Sequence, residues 1–421
     1  MAASFFLVEE IVSIQPGLGR CFRVAFRPAN DGHASCLGTT APTFHIEGGG
    51  YANRSDRSLD RGRSTCSLRR HRAGGVVDHR GTGCPRHDVT LFASGDSMTA
   101  ATLEPMWPRA LRLDPSVLDP IALHMLMLER VRQRVHEFDC LHFHLNYYPF
   151  SLFSRQATPF VTTLHGRLDL PEHQPVFRTF SSIPVVSISN AQRSPLPHAG
   201  WVRTIYHGMP LELLTPRHEA PRYLAFLGRI APEKRVDRAI RIARAARLPL
   251  RIAAKIDKAD REYFETEIRT LLDQPDVEYC GQIADGEKAE FLSGAIALLV
   301  PFDWPEPFGL VMIEAMACGT PVIAYRRGSA PEVVEDGISG FVVDDEAGAV
   351  AAIARLPLVS RERIRCRFEE RFSVERMVDE YLDVYRSLIA GRVSQSRTDR
   401  LADLDLAGNG RILRKARLPR P

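Results

Sequence analysis

Lysine is nearly missing from this chain: of its 55 basic residues only Lys234, Lys255, Lys258, Lys288 and Lys415 are lysines. Arginine codons are GC-rich and lysine codons are not, so the bias points to a GC-rich gene. No apolar run approaches the ~20 residues that a membrane-spanning helix needs. The opening "MAASFFLVEEIVSIQPGLGR" has two acids and no basic start, which makes a poor secretory signal. The eight cysteines include no C-x-x-C pair and no zinc-ligand spacing, so a reduced, cytoplasmic setting is expected. A formal charge of +4 is too small to argue for nucleic acid, and the basic residues form no stripe with aromatics.

A chain of 421 residues exceeds one ordinary core and fits two domains. From His87 onward short β-rich runs alternate with amphipathic stretches. "DVTLFA", "CLHFH", "FVTTLH", "PVVSIS" and "VRTIYHG" read as buried strands up to Gly208. A second series holds "YLAFLGR", "LPLRIAAK", "VEYCG", "ALLVPF", "PVIAY" and "GFVVDD". The polar, proline-bracketed stretch Pro216 to Arg222 reads as the linker between them. In "PEKRVDRAIRIARAAR" Pro232 stands near a predicted helix start, where its missing N–H costs nothing. This alternation predicts an α/β protein of two doubly wound domains facing a cleft, at 87–215 and 216–390. A late helix, "SVERMVDEYLDVYRSL", is expected to close the second domain. The Arg-rich tail 391–421 has no apolar period and reads as disordered.

The segment "EPFGLVMIEAMACGTPVIAY" reads as loop, helix, turn and strand. A helix starting at Gly309 and Leu310 offers outward N–H groups and a positive dipole end, an anion site in outline. Glu314, about one turn in, can accept two hydroxyl hydrogen bonds from a diol. Glu306, ahead of the helix, points at whatever lies beyond the anion. Either acid alone reads as well as a solvated surface acid. Taken with "CGTPVIA" and "GSAPEVVEDGISGFVV", the layout fits a nucleoside diphosphate carrying a polyol.

That string resembles the nucleotide-sugar site of retaining GT-B glycosyltransferases, the large family that includes sucrose synthases and bacterial mannosyl- and glucosyltransferases. Glu306 and Glu314 match its E-x7-E pair. The resemblance implies that Glu314 holds the donor ribose and Glu306 contacts the transferred sugar. "YLAFLGRIAPEKR" looks like the family's diphosphate segment, where Gly228 lies close and Arg229 and Lys234 neutralise the leaving group. "VEYCGQ" resembles the stretch around the nucleobase, with Gly281 and Gln282 at the base edge. "FVTTLHGRLD" resembles the T-x-H-G element, which implies His165 over the donor sugar and Gly166 keeping the backbone close. His142 and His144 in "LHFHLNYY" share one strand face and read equally as core. His207 stands where the family commonly has asparagine, a departure expected to alter a linker contact.

The resemblance implies retention by a front-face route, with the nucleotide sugar as donor substrate, no metal and no cofactor. The acceptor is an unidentified sugar, lipid-linked or small molecule, and the lack of a spanning segment still allows peripheral membrane contact. Two rivals stand beside this: a GT-B epimerase or phosphorylase-like enzyme, and a nucleotide-binding product without transfer activity.

Residues 1–86 do not read like the rest: they hold four of the eight cysteines and no lysine. The family opens with a strand and a glycine-rich loop leading into a helix, and neither reads here. Back-translating Leu68 to Arg86 with GC-rich codons and shifting the frame permits Tyr-Gly-Gly-Thr-Glu-Arg followed by an amphipathic helix. The segment therefore reads as out of frame or as a disordered extension, with the first sheet lacking a central strand and exposing two edges.

Overall fold

The computed structural model describes residues 11–16, 87–97, 99, 101–218 and 220–392. The chain divides into two units, Met1–Pro28 with Cys84–Pro421, and Ala29–Gly83. The described residues all belong to the first. The shifted-frame stretch Leu68 to Arg86 and the tail 393–421 lie outside them.

Two sheets organise the described residues, each built from short apolar runs flanked by polar turns. The first has the strands β1 (Ile11–Pro16), β2 (His87–Ser94), β3 (Thr102–Trp107), β4 (Cys140–Phe143), β5 (Phe160–Thr163), β6 (Val185–Ser187) and β7 (Trp201–Thr204). Their order is β3-β2-β1-β4-β5-β6-β7. The second has β8 (Tyr223–Arg229), β9 (Leu250–Lys255), β10 (Val277–Gly281), β11 (Ala295–Val300), β12 (Val322–Tyr325) and β13 (Gly340–Val343), in the order β10-β9-β8-β11-β12-β13. The second sheet is parallel throughout. Apart from the edge strand β10, whose residues are half-buried or exposed, burial on both faces explains why these runs are largely continuous and apolar rather than alternating.

The expected gap in the first sheet is filled. β1 pairs with β2 on one side and β4 on the other, and both pairings are antiparallel. The other neighbours in that sheet are parallel. An extended backbone of either direction satisfies the ladder donors that an open edge would strand.

Two further departures have local causes. β3 was not foreseen, because "TLEPMW" carries Pro105 inside the run; at a sheet edge, the missing N–H is tolerated. The helix after β8 begins later than its proline. Pro232–Lys234 form one 3-10 turn, Arg235 turns left-handed at φ 54°, and the helix runs over Val236–Ala246. The Arg235 guanidinium holds that corner by bonding Asp237 and Asp303.

The late helix does not close the second domain. The chain leaves the Arg361–Phe372 helix through a bridge between Ser373 and Met209 and continues helical over 374–392. There Met377, Tyr381 and Val384 pack against Val161 and Val186 of the first sheet and Ile205 just after β7. Apolar residues spaced for a helix say that a face is covered, not which sheet covers it. The described residues of the expected linker, 216–218 and 220–222, lie in no helix or strand. No helix among the described residues is long and apolar enough to cross a membrane.

Candidate functional site

Parallel sheets collect ligands beyond the carboxyl ends of their strands, where the strand order reverses. In the second sheet that point lies between β8 and β11. The end of β8 carries Gly228 and Arg229, and the loop after β11 carries Trp304, Glu306 and Gly309.

Gly228 has φ 152° with open space where a Cβ would stand. Arg229 follows, its guanidinium held among three acids: Glu233 at 2.6 Å, Asp260 at 3.2 Å and Asp257 at 3.5 Å. Burial, opposed by Arg229, lifts the Asp260 carboxyl above its usual range. Lys234, at the end of the 3-10 turn, bonds the Glu306 carboxylate. Its ammonium also lies 4.1 Å from the ring centre of Phe302, a cation–π contact. Trp304 donates its indole N–H to the same Glu306 oxygen at 3.0 Å. Lys234 and Glu306, assigned to the leaving diphosphate and to the transferred sugar, are direct partners here.

The helix Leu310–Ala317 starts at Gly309, whose φ of 76° suits glycine. No side chain caps this start and its first turn holds no acid, an arrangement whose N–H donors would suit an anion. Leu310 is 44% exposed beside it. Glu314 lies on the fifth residue of the helix and is only 9% exposed. Its Oε1 accepts from Lys288 Nζ at 2.9 Å. Gly281 (φ 69°) ends β10 and Gln282 is exposed after it.

Across the crevice, His165 follows β5. Its Nε2 shares a 2.8 Å hydrogen bond with Nδ1 of His144. Its ring stacks on His207, centroids 5.4 Å apart and planes 11° from parallel. His207 in turn meets Phe308 edge-on at 4.9 Å, one residue before Gly309. The His207 departure was expected to touch only a linker; it touches the candidate sugar-side histidine instead. Burial, then the Arg376 charge, pushes the His207 imidazole down to about 4. Burial also holds His144 and His165 well below the ordinary range. Gly166 keeps its carbonyl on Gln192 Nε2 at 2.9 Å. His142 is buried and committed, to Thr163 at 2.7 Å and to Tyr385 of the returning helix at 2.8 Å.

A second bridge spans the sheets. Glu332 accepts from the backbone N–H groups of Asn190 (2.8 Å) and Ala191 (2.6 Å) and from the Tyr206 hydroxyl (3.0 Å). Sequence reasoning missed Glu332, Lys288 and the acids on Arg229. The one available signal was scarcity: two of five lysines, Lys234 and Lys288, each sit on one acid of the E-x7-E pair. Among the described residues, no three His, Cys, Asp or Glu side chains are grouped to hold a metal ion.

Residues 215–368 match the family model described as "Glycosyl transferases group 1". An α-maltose-1-phosphate synthase of Mycobacterium tuberculosis is 32% identical over 187 residues, covering 39% of this chain and 48% of that protein. A D-inositol 3-phosphate glycosyltransferase of Saccharomonospora viridis is 45% identical over 92 residues, 20% of this chain and 21% of that protein. The chain thus spans half or less of these relatives. Among solved structures, Anabaena HepE in complex with UDP and glucose superposes with a TM-score of 0.54 at 20% identity, over 68% of this chain and 86% of that one. A sucrose-phosphate synthase of Thermosynechococcus elongatus gives 0.56 at 23%, over 67% and 83%. These likenesses establish the fold as GT-B.

Proposed function

We propose that this chain, whose residues 215–368 form a domain of the glycosyl transferases group 1 family, transfers a sugar from a nucleoside-diphosphate donor to an acceptor with retention. One observation carries the reading: Arg229 at the end of β8 and the Lys234–Glu306 pair stand at the β8–β11 reversal, where the loop after β11 leads into the uncapped helix that carries Glu314. In this account the diphosphate lies on the N–H groups at Gly309 and Leu310, with Arg229 and Lys234 beside it. Charge grows on the departing phosphate in the transition state, and fixed cations stabilise it without reorganising. Glu314 takes the ribose, and Gly281 and Gln282 the base edge. Glu306 and His165 reach the sugar from opposite sides of the crevice. A buried imidazole that stays neutral can accept or donate one hydrogen bond to a sugar hydroxyl without opposing the leaving group's charge. The carboxylates on Arg229 and Lys234 hold these cations in place until the diphosphate arrives.

The experiment is incubation of the chain with UDP-, GDP- and ADP-sugars while free nucleoside diphosphate is measured. Release from one donor class, lost in Lys234→Ala, supports the reading. Failure to release from any donor, with nucleotide still bound, favours a second reading in which the chain binds the donor but does not transfer. The reversed direction of β1 at the centre of the first sheet is the observation behind that second reading. The whole chain is expected to work in the cytoplasm on a soluble donor and an acceptor held by the first sheet's loops.

A further inference from the structure

Lys288 has no part in the site as read so far, yet it is tied to its centre. It stands on the helix Asp285–Ser293, and its ammonium lies 2.9 Å from Glu314 Oε1 and 3.1 Å from Asp285 Oδ1. All three side chains are mostly covered, at 17% exposure for Lys288, 12% for Glu314 and 27% for Asp285. Burial disfavours the ammonium, but the two carboxylates outweigh it and lift the Lys288 pKa. Neighbours of Glu314 on its helix, Met312, Ile313, Ala315 and Met316, are buried and apolar.

A carboxylate in such surroundings needs a fixed counter-charge. Without one it turns toward water, and that turn removes an acceptor from the ligand. The ammonium engages Oε1, so among the described residues Oε2 is the oxygen left to accept from outside. Such an oxygen rewards a ligand hydroxyl and penalises a ligand that lacks it, because the unmet acceptor stays desolvated.

Resting on the reading of Glu314 as the ribose acceptor, we propose that Lys288 is a positioning residue for donor selection. It pins the Glu314 carboxylate so that the site takes ribonucleoside diphosphates and rejects their 2′-deoxy counterparts. Lys288 itself need not touch the ligand. Its effect is carried by where it holds Glu314.

The test is calorimetric titration of the full chain and of Lys288→Met and Lys288→Arg with UDP, GDP and ADP, each beside its 2′-deoxy form. The full chain should bind the preferred ribonucleotide about tenfold or more tighter than the deoxy form. Lys288→Met should narrow that ratio to within about threefold, chiefly by weakening the ribonucleotide. Lys288→Arg should restore most of it, and melting curves show whether each variant is folded. A ratio unchanged in a folded Lys288→Met overturns the role of Lys288 alone. Ribonucleotide binding with no deoxy discrimination in the full chain overturns the ribose assignment. Binding of no nucleotide at all overturns the proposed function, and the proposal with it.

Discussion

His165 and His207 stack face to face, 5.4 Å between ring centres, and the far edge of that stack rests on Phe308 at 4.9 Å. The stack joins the loop after β5 to the loop that opens the helix Leu310–Ala317. Removing the His207 ring should free His165 to change rotamer while leaving the proposed nucleotide contacts alone. His207→Ala is therefore expected to lower kcat for donor cleavage about tenfold or more, with nucleoside-diphosphate affinity changed less than threefold. His207→Phe keeps a planar ring and should recover most of the loss. Equal losses in kcat and nucleotide affinity would show that the stack matters only for folding.

The pair Lys234–Glu306 places a cation and an acid in direct contact beside the crevice. Lys234→Ala should reduce nucleoside-diphosphate release by roughly 10²–10³-fold, the usual effect of losing one fixed charge-stabilising donor. Lys234→Arg should be partly active. A variant within about twofold of the unaltered chain would remove Lys234 from the mechanism.

Glu332 carries the link between the second sheet's loops and Asn190, Ala191 and Tyr206. Glu332→Ala strands two backbone N–H groups and a hydroxyl at a partly covered seam. A loss of roughly 1–3 kcal/mol is expected, read as an earlier urea midpoint. Glu332→Gln should lose less. No shift in either variant would mean that water replaces the carboxylate freely.

The buried histidines set a pH dependence. His207 is held down to about 4 and His142 to about 3, both chiefly by burial. An unfolded chain protonates these imidazoles near 6.5, so it binds more protons than the folded chain at any pH between. Their stabilising contribution is full above about 6.5 and is lost as pH falls through that interval. The melting temperature should decline on acidification from about pH 6.5 to 4, more shallowly in His207→Phe. A flat profile over that range would show that these imidazoles are free to protonate in the folded chain.

The second sheet was legible because its strands are short apolar runs between glycine and proline punctuation, and local pattern decides such elements. Glu306 and Glu314 could be picked out as a pair because both sit on one short segment, while the roles given to them come from the resemblance. What failed was long-range. Nothing in "SVERMVDEYLDVYRSL" says that Tyr381 and Tyr385 will meet Thr163 and His142, more than two hundred residues earlier. Lys288 was hidden likewise, because its acid lies 26 positions away on another helix. The antiparallel β1 could not be read from a segment that lacks the family's opening motif, since pairing direction is settled by the neighbours.

The central claim is that Glu314 grips the ribose of a nucleoside diphosphate seated on the Gly309 helix start. Calorimetric titration with UDP, GDP and ADP, beside Glu314→Ala, tests it most directly. The account predicts selective binding of one nucleotide and its loss, by about tenfold or more, in a folded Glu314→Ala. Equal binding by the two proteins would contradict it.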